Sequence, residues 1–224
     1  GALLNYVRLT QTQLPRHLDG LTLESEAEYI AMDAATRRNL EIAATLDGKK
    51  APTLLSVLDR CTSHMGSRLL AQWLHHPLRR REHIFARQAA VAALFEHHHT
   101  VHRVLAGVAD IERIAARIAL ASARPRDLSA LRDSLFALAN IRLPEQPALL
   151  ATLTAALPAA LPAAELLKKA ILPEPAVWLK DGGVINHGFH PELDHLRGLQ
   201  HNSSAFLSEL EQRERQRTAL STLK

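Results

Sequence analysis

Cysteine is nearly missing from this chain: Cys61 is the single one in 224 residues. One thiol forms no internal disulfide, so a stapled secreted scaffold is excluded and a reducing compartment is expected. Aromatic residues are scarce at 4%, and so are β-branched aliphatics, with 8 Val and 9 Ile. Those side chains furnish strands, so a mainly β architecture is excluded, and an alternating α/β sheet lacks the buried strands it needs. No stretch approaches ~18 consecutive apolar residues, so no membrane-spanning helix is expected. The chain opens on Gly1 with no charged segment leading into an apolar one. No secretory leader is expected, and the sequence reads as an internal piece of a longer protein.

What is abundant is Leu (40) and Ala (36), together about a third of the chain. Both are strong helix formers, so the expected class is all-α. The net charge of +4 is small. A modest basic surplus suits contact with nucleic acid without requiring it.

Turn signals divide the chain. Leu14-Pro15 and Asp19-Gly20 interrupt an entry segment, 1–28. Tyr29 to Met32 reads as a short strand, and Asp33 as the N-cap of a helix from Ala34 to Glu41. Asp47-Gly48-Lys49-Lys50 is a loop, after which Thr53 caps a short helix. Ser63 caps the next one, on which Met65, Leu69, Leu70 and Trp73 form the apolar stripe until Pro77 stops it. Further helices are expected over Arg81–Glu96, around Val101–Leu105 and over Asp110–Ala121, the last presenting Ile111, Ile114 and Ile118 inward. Pro125 sits where a first-turn proline is tolerated, ahead of Leu128, Leu131, Leu135 and Leu138. Two short helices follow near 147–156 and 163–171. Residues 177–190 read as a β-hairpin turning on Asp181-Gly182-Gly183. From Pro191 one long helix runs to about Thr218, about 40 Å at ~1.5 Å per residue, and its charged end suits a helix that leaves the core. The expected organisation is thus 1–28 entry segment, 29–176 helical core, 177–190 hairpin and 191–224 projecting helix.

The search for catalytic chemistry returns little. The Asp47–Lys50 loop lacks the earlier Gly of a phosphate loop and the following Ser/Thr, and reads as a solvated turn. Neither a dinucleotide-binding glycine motif nor a nucleophile elbow occurs. The 13 histidines are an enrichment. His98 and His102 stand at i, i+4 within the His97–His102 cluster, a spacing metal sites use, but no third ligand lies on that face. A weakly basic helix end is the simpler reading, with adventitious metal binding as the alternative. In Asp110-Ile111-Glu112-Arg113 with Arg117, and in Arg124-Pro125-Arg126-Asp127, the charges suit Arg–Asp pairs between helices, with phosphate contact as the alternative.

Five strings in order carry a resemblance. They are Met32-Asp33-Ala34-Ala35-Thr36-Arg37-Arg38-Asn39-Leu40-Glu41; Met65-Gly66-Ser67-Arg68-Leu69-Leu70 with Trp73-Leu74 and Pro77-Leu78; Asp110 to Arg113 followed by Arg124 to Leu128; Asp181-Gly182-Gly183-Val184-Ile185 leading to Glu192-Leu193-Asp194; and Glu211 to Thr218 with Leu220. Together they resemble the core, or lever, region (domain III) of the bacterial DNA mismatch repair protein MutS, from about residue 3 to the end. The family usually has Thr-Pro where this chain has Ser63-His64, and Gly where it has Ala219.

The resemblance implies a part in a dimeric protein that closes around mispaired duplex DNA, uses ATP with Mg to become a sliding clamp, and works with a MutL-type partner in the bacterial cytoplasm, associated with the nucleoid. Mispair reading and ATP hydrolysis belong to other domains of that family, so no catalytic, cofactor or metal residue is expected here. In the parent protein Arg213, Arg215, Arg217 and Lys224 would face DNA. Asp33, Arg37, Arg38, Ser63, Arg68, Asp110, Arg113, Arg117, Arg124, Arg126, Asp127, Asp181, Gly182 and Gly183 would be structural. Weak or no specific DNA binding is expected of this chain alone. The competing readings are a helical protein–protein interaction module with no DNA role and, further off, a metal-dependent helical enzyme built on the His97–His102 cluster.

Overall fold

The computed structural model describes residues 26–201 and 203–218, with the single positions 2, 5, 6 and 9. The breaks at Leu14-Pro15 and Asp19-Gly20, the substitution at Ala219 and Lys224 lie outside the described residues. Among those described the chain is helical, with two isolated antiparallel bridges and no sheet.

The first three helices start where side-chain oxygens can take up the orphan N–H groups of a first turn. Helix α1 (Ala34–Asn39) begins after Asp33, whose Oδ1 accepts the Thr36 N–H at 2.6 Å. Hydrogen bonding to Thr36, from its side chain first and then from its N–H, holds the Asp33 carboxyl below its ordinary range. Beyond α1, Glu41 adopts a φ of 46°, and its Oε1 accepts the Leu46 N–H at 2.7 Å. Helix α2 (Leu54–Leu58) opens on a reciprocal capping box between Thr53 and Ser56. Helix α3 (His64–His75) opens on Ser63, whose Oγ accepts the Gly66 N–H at 3.1 Å. A Cβ on Gly66 would stand 3.1 Å from Ser63 Oγ and 3.3 Å from Cys61 Cβ, so glycine lets this turn close over Cys61.

Helix α4 (Arg81–Leu94) runs through a 3-10 turn (Phe95–His97) into α5 (His98–Ala106), which stops at Gly107. Helices α6 (Ile111–Ala119) and α7 (Pro125–Ala139) follow, then α8 (Ala148–Ala156), a 3-10 turn (Leu157–Ala160) and α9 (Leu161–Ala170). The closest helix pairing is α9 on α7, with α6 also against α7 and α8 against α4. Ala170, Ile171 and Val184 form the buried cluster beside it, with Leu128 and Leu167 packed around them.

Four expectations need correction. Tyr29 to Met32 is no strand: Tyr29 alone bridges Leu78, because the opposing chain is short and Pro77 offers only its carbonyl, to the Ile30 N–H at 2.8 Å. The 177–190 hairpin does not pair as expected. Leu179–Asp181 is a 3-10 turn, and Ile185 bridges Ile171 instead. That register buries Ile171 and Val184, while Pro173 and Pro175 deprive the intervening chain of ladder donors. Gly182 and Gly183 still take positive φ, at 71° and 60°. The apolar stripes are less buried than periodicity implies, since Leu69, Trp73 and Ile118 are 46%, 39% and 43% exposed, whereas Arg132 and Ser134 are buried. Lastly, 148–170 has the length and average apolarity of a membrane-crossing helix over its 23 residues, although its apolar run is not continuous. Pro158, Pro162 and the 3-10 turn divide it, and both halves pack on other helices.

Helices α10 (Pro191–His201) and α11 (Ser203–Thr218) occupy the span expected for one long helix, with Asn202 outside the described residues. Among the described residues, helix α11 meets no body helix beyond marginal contact.

Candidate functional site

The charged residues singled out from sequence converge on the joints between helices. Arg68, on α3, presents both Nη atoms to Asp110: Nη1 donates to Oδ2 at 2.7 Å and Nη2 to Oδ1 at 2.8 Å. Nη2 also reaches Glu112. The same Asp110 caps α6 by accepting the Arg113 N–H at 3.3 Å, and Arg113 pairs with it at 3.4 Å from a solvated position. A carboxylate that receives a forked guanidinium and a backbone N–H is held in its charged form. The Arg68 hydrogen bonds accordingly depress the Asp110 pKa to about 2.

A second joint ties α6 to α7. Arg117 donates from Nε to Asp127 Oδ2 at 2.9 Å and from Nη2 to Oδ1 at 2.8 Å. Asp127 also accepts the Arg124 N–H at 3.0 Å, which closes the first turn of α7. Burial works against ionisation of Asp127, but the Arg124 and Arg117 donors outweigh it and leave its carboxyl below the usual range. The Arg124 guanidinium lies 4.6 Å from the Trp178 ring centre, a cation–π contact. Arg126 is exposed, with no side-chain partner among the described residues.

Two joints were missed from sequence. Buried Arg132 donates to the carbonyls of Leu172 and Pro173, both at 3.1 Å, and to Asp133. Its place between Leu128 and Leu135, on the apolar stripe of α7, was the available signal. Asn186 Nδ2 donates to the carbonyls of Lys168, Lys169 and Ile171 at 3.0–3.1 Å, satisfying the C-terminal end of α9. Nothing in the local pattern marks Asn186 for that role.

The base of α10 is clamped to the chain before it. Asp194 Oδ2 accepts the Gly188 N–H at 2.6 Å, and Arg197 Nη2 donates to the Ile185 carbonyl at 3.0 Å. The Gly188 bond, with Arg197 beside it, holds the Asp194 carboxyl below its ordinary range. On α11 the arginines stand against glutamates of their own helix: Arg215 with Glu211, Arg217 with Glu214 at 2.7 Å, and Arg213 with Glu214 at 4.0 Å. Asp181 is exposed, and the Gly183 carbonyl accepts the Ala176 N–H at 3.2 Å. Among the histidines, His102 Nε2 lies 3.0 Å from the Arg60 carbonyl and His98 Nδ1 lies against the Phe95 carbonyl. No three metal-ligating side chains converge among the described residues.

Helix order, glycine turn and terminal charged helix now stand together, and a family model described as MutS domain III matches residues 35–223. The chain belongs to the MutS domain III family. Its kinship is with MutS-like mismatch repair proteins, and the match takes in every joint described above. In this MutS domain III the forked Arg–carboxylate pairs sit between helices, through Arg68 and Arg117, whereas Arg113 stays solvated and Arg124 lies on the Trp178 ring. The helical domain presents joints rather than a catalytic constellation, and its distinctive feature is the anchored α10 followed by α11.

Proposed function

We propose that this chain is the core and first lever segment of a MutS-like mismatch repair protein, linking mispaired-DNA binding to an ATPase domain elsewhere in the parent protein. In that reading 1–28 leads in from a preceding region, 29–176 is the body, 177–190 is the base of the lever and 191–224 carries the lever toward a DNA-gripping clamp. Duplex DNA, a second copy of the parent protein, a MutL-type protein and ATP with Mg are partners of the whole, in the bacterial cytoplasm at the nucleoid. The domain itself performs no catalysis.

The observation that supports this most directly is the mounting of α10 and α11. Asp194 and Arg197 fix the base of α10 to residues 185–188, while α11 beyond it meets no described body helix beyond marginal contact. A helix held at its base turns a small rotation there into a larger displacement at the tip, because its backbone bonds are internal and it resists bending. Within α11 the Glu–Arg pairs stiffen the surface, and they leave little unbalanced charge for phosphates. Contacts to DNA by Arg213, Arg215, Arg217 and Lys224 are therefore assigned to the parent protein in its closed state.

The test is Ser208→Pro in the full-length protein, which falls inside α11 and interrupts the lever at a cost of about 3 kcal/mol of helix stability. Mispair affinity is expected to stay within about twofold, while the stimulation of nucleotide exchange by mispaired DNA disappears. Retention of that stimulation would overturn the lever reading.

A further inference from the structure

Helix α10 starts on an imidazole. His190 precedes Pro191, and its carbonyl accepts the Asp194 N–H at 3.1 Å, so His190 is the residue that caps the first turn. Its ring Nδ1 accepts the Leu193 N–H at 3.3 Å, a bond that Ser, Thr, Asp or Asn makes at most helix starts. An imidazole nitrogen accepts only while it carries no proton, so this contact requires the neutral ring with its proton on Nε2. A second imidazole acts on the same turn. His187 Nδ1 lies 3.4 Å from Asp194 Oδ1, and that contact becomes an ion pair only when His187 is protonated. Asp194 also accepts the Gly188 N–H through Oδ2 at 2.6 Å and faces Arg197 at 3.3 Å. The other charged or titratable groups placed about the turn are Glu192 and His195 on α10, and Lys168 and Lys169 at the end of α9, whose carbonyls Asn186 binds. Carboxylates, lysine and arginine hold their charge from about pH 5 to about pH 8, whereas imidazoles change theirs.

We propose that the turn from His187 to His190 is a proton-sensitive latch on the start of α10. With both rings neutral, His190 closes the first turn. When His190 takes a proton, Nδ1 changes from acceptor to donor and the Leu193 N–H loses its partner. A positive charge then also stands at the positive end of the helix dipole. A proton on His187 works the other way, by adding attraction to Asp194. That gain is the smaller one, because His187 is 80% exposed and Arg197 already shares Asp194 Oδ1. The order that the cap supplies is therefore present where the His190 ring is neutral and lost as it charges. Acid loosens the first turn of α10 and leaves the Gly188 and Arg197 bonds to hold it. The latch is a property of this turn and is independent of the lever reading.

The test is NMR of the 224-residue chain between about pH 5 and about pH 8, with the ring signals assigned through His187→Gln, His190→Asn and His195→Gln. The ring nitrogen shifts of neutral His190 are expected to place its proton on Nε2. Protection of the Leu193 amide against solvent exchange, corrected for the intrinsic rate at each pH, is expected to fall about fivefold as the His190 ring charges. His190→Asn supplies an acceptor at every pH, so its Leu193 protection should vary by less than about twofold over the same range. His187→Gln removes the opposing pair and should leave the fall at least as large as in the wild type. A proton on Nδ1 of neutral His190, Leu193 protection that does not follow the His190 ring, or the same fall in His190→Asn would overturn the proposal. So would disappearance of the fall in His187→Gln, which would assign the response to the Asp194 pair instead of the cap.

Discussion

Asp110 does two jobs at once, and substitution separates them. Asp110→Ala deletes the N-cap acceptor of α6, a loss of about 1 kcal/mol. It also deletes the forked partner of Arg68. That pair is partly screened, since Asp110 is 14% and Arg68 37% exposed. Its value therefore lies nearer the surface range than the buried one, about 1 kcal/mol. Glu112 remains on Arg68, so the guanidinium is not orphaned and no further penalty is added. The expected total is about 2 kcal/mol, which lowers the melting temperature of a domain this size by about 4–8 °C. Asp110→Asn keeps a cap acceptor and discards the charge, so it should cost about half as much. Thermal and urea unfolding followed by helical circular dichroism measures both variants.

The pH dependence of the same pair follows from its sign. The folded pKa of Asp110 is about 2, depressed from an ordinary 3.8. A depressed carboxylate contributes fully above the unfolded value and loses its contribution as pH falls toward the folded one. The stability gap between wild type and Asp110→Asn should hold constant above about pH 4 and close toward about pH 2. If Asn costs as much as Ala, the cap contributes nothing. If neither variant moves the transition, or the gap ignores acid, the joint does not hold α3 to α6.

Two further outcomes are expected. Arg132→Ala strands the Leu172 and Pro173 carbonyls next to the buried Ile171–Val184 cluster and should cost about 3 kcal/mol in urea unfolding, with Arg132→Lys recovering less than half because one ammonium cannot serve both carbonyls and Asp133. Burial first, and then Asp59, push the Cys61 thiol above its usual range. Iodoacetamide should therefore alkylate Cys61 more slowly than free glutathione at about pH 8, and Asp59→Asn should narrow the difference.

Helix boundaries were legible because they are decided locally. Ser63, Thr53, Asp33, Asp110 and Pro125 each act within three or four residues of themselves, and each opens a helix where the sequence placed one. Pairings between distant segments were not legible. Val184-Ile185 carries a strand-like pattern, but the choice of Ile171 over Val177 as its partner depends on what α7 and α9 leave to be buried. The candidate joints show the same division. Charge spacing suggested Arg–Asp pairs, and the residues involved were named, but Arg68 meets Asp110 across 42 positions of sequence. Arg132 and Asn186 escaped because their partners are backbone carbonyls, which no residue pattern marks.

The joints also show where many of the arginines are spent. Arg68 and Arg117 are occupied between helices, Arg132 is occupied by Asp133 and the 172–173 carbonyls, and Arg213, Arg215 and Arg217 face glutamates on their own helix. The pairs form a contiguous path: α3 to α6 through Asp110, α6 to α7 through Asp127, α7 to the 171–173 strap through Arg132, and from the Ile171–Ile185 bridge to α10 through Arg197. Contiguity alone does not transmit anything; a path carries a signal only where one element has two packed arrangements that both ends bias. The joints within the body are forked or buried and favour a single arrangement. The base of α10 is different, because Asp194 reaches Gly188 across an exposed turn and, among the described residues, α11 beyond it meets body helices only marginally. On the proposed lever reading, bending is expected where the fewest joints hold the chain, at residues 186–194, and loss of the Asp194–Gly188 bond in Asp194→Ala should loosen it there first.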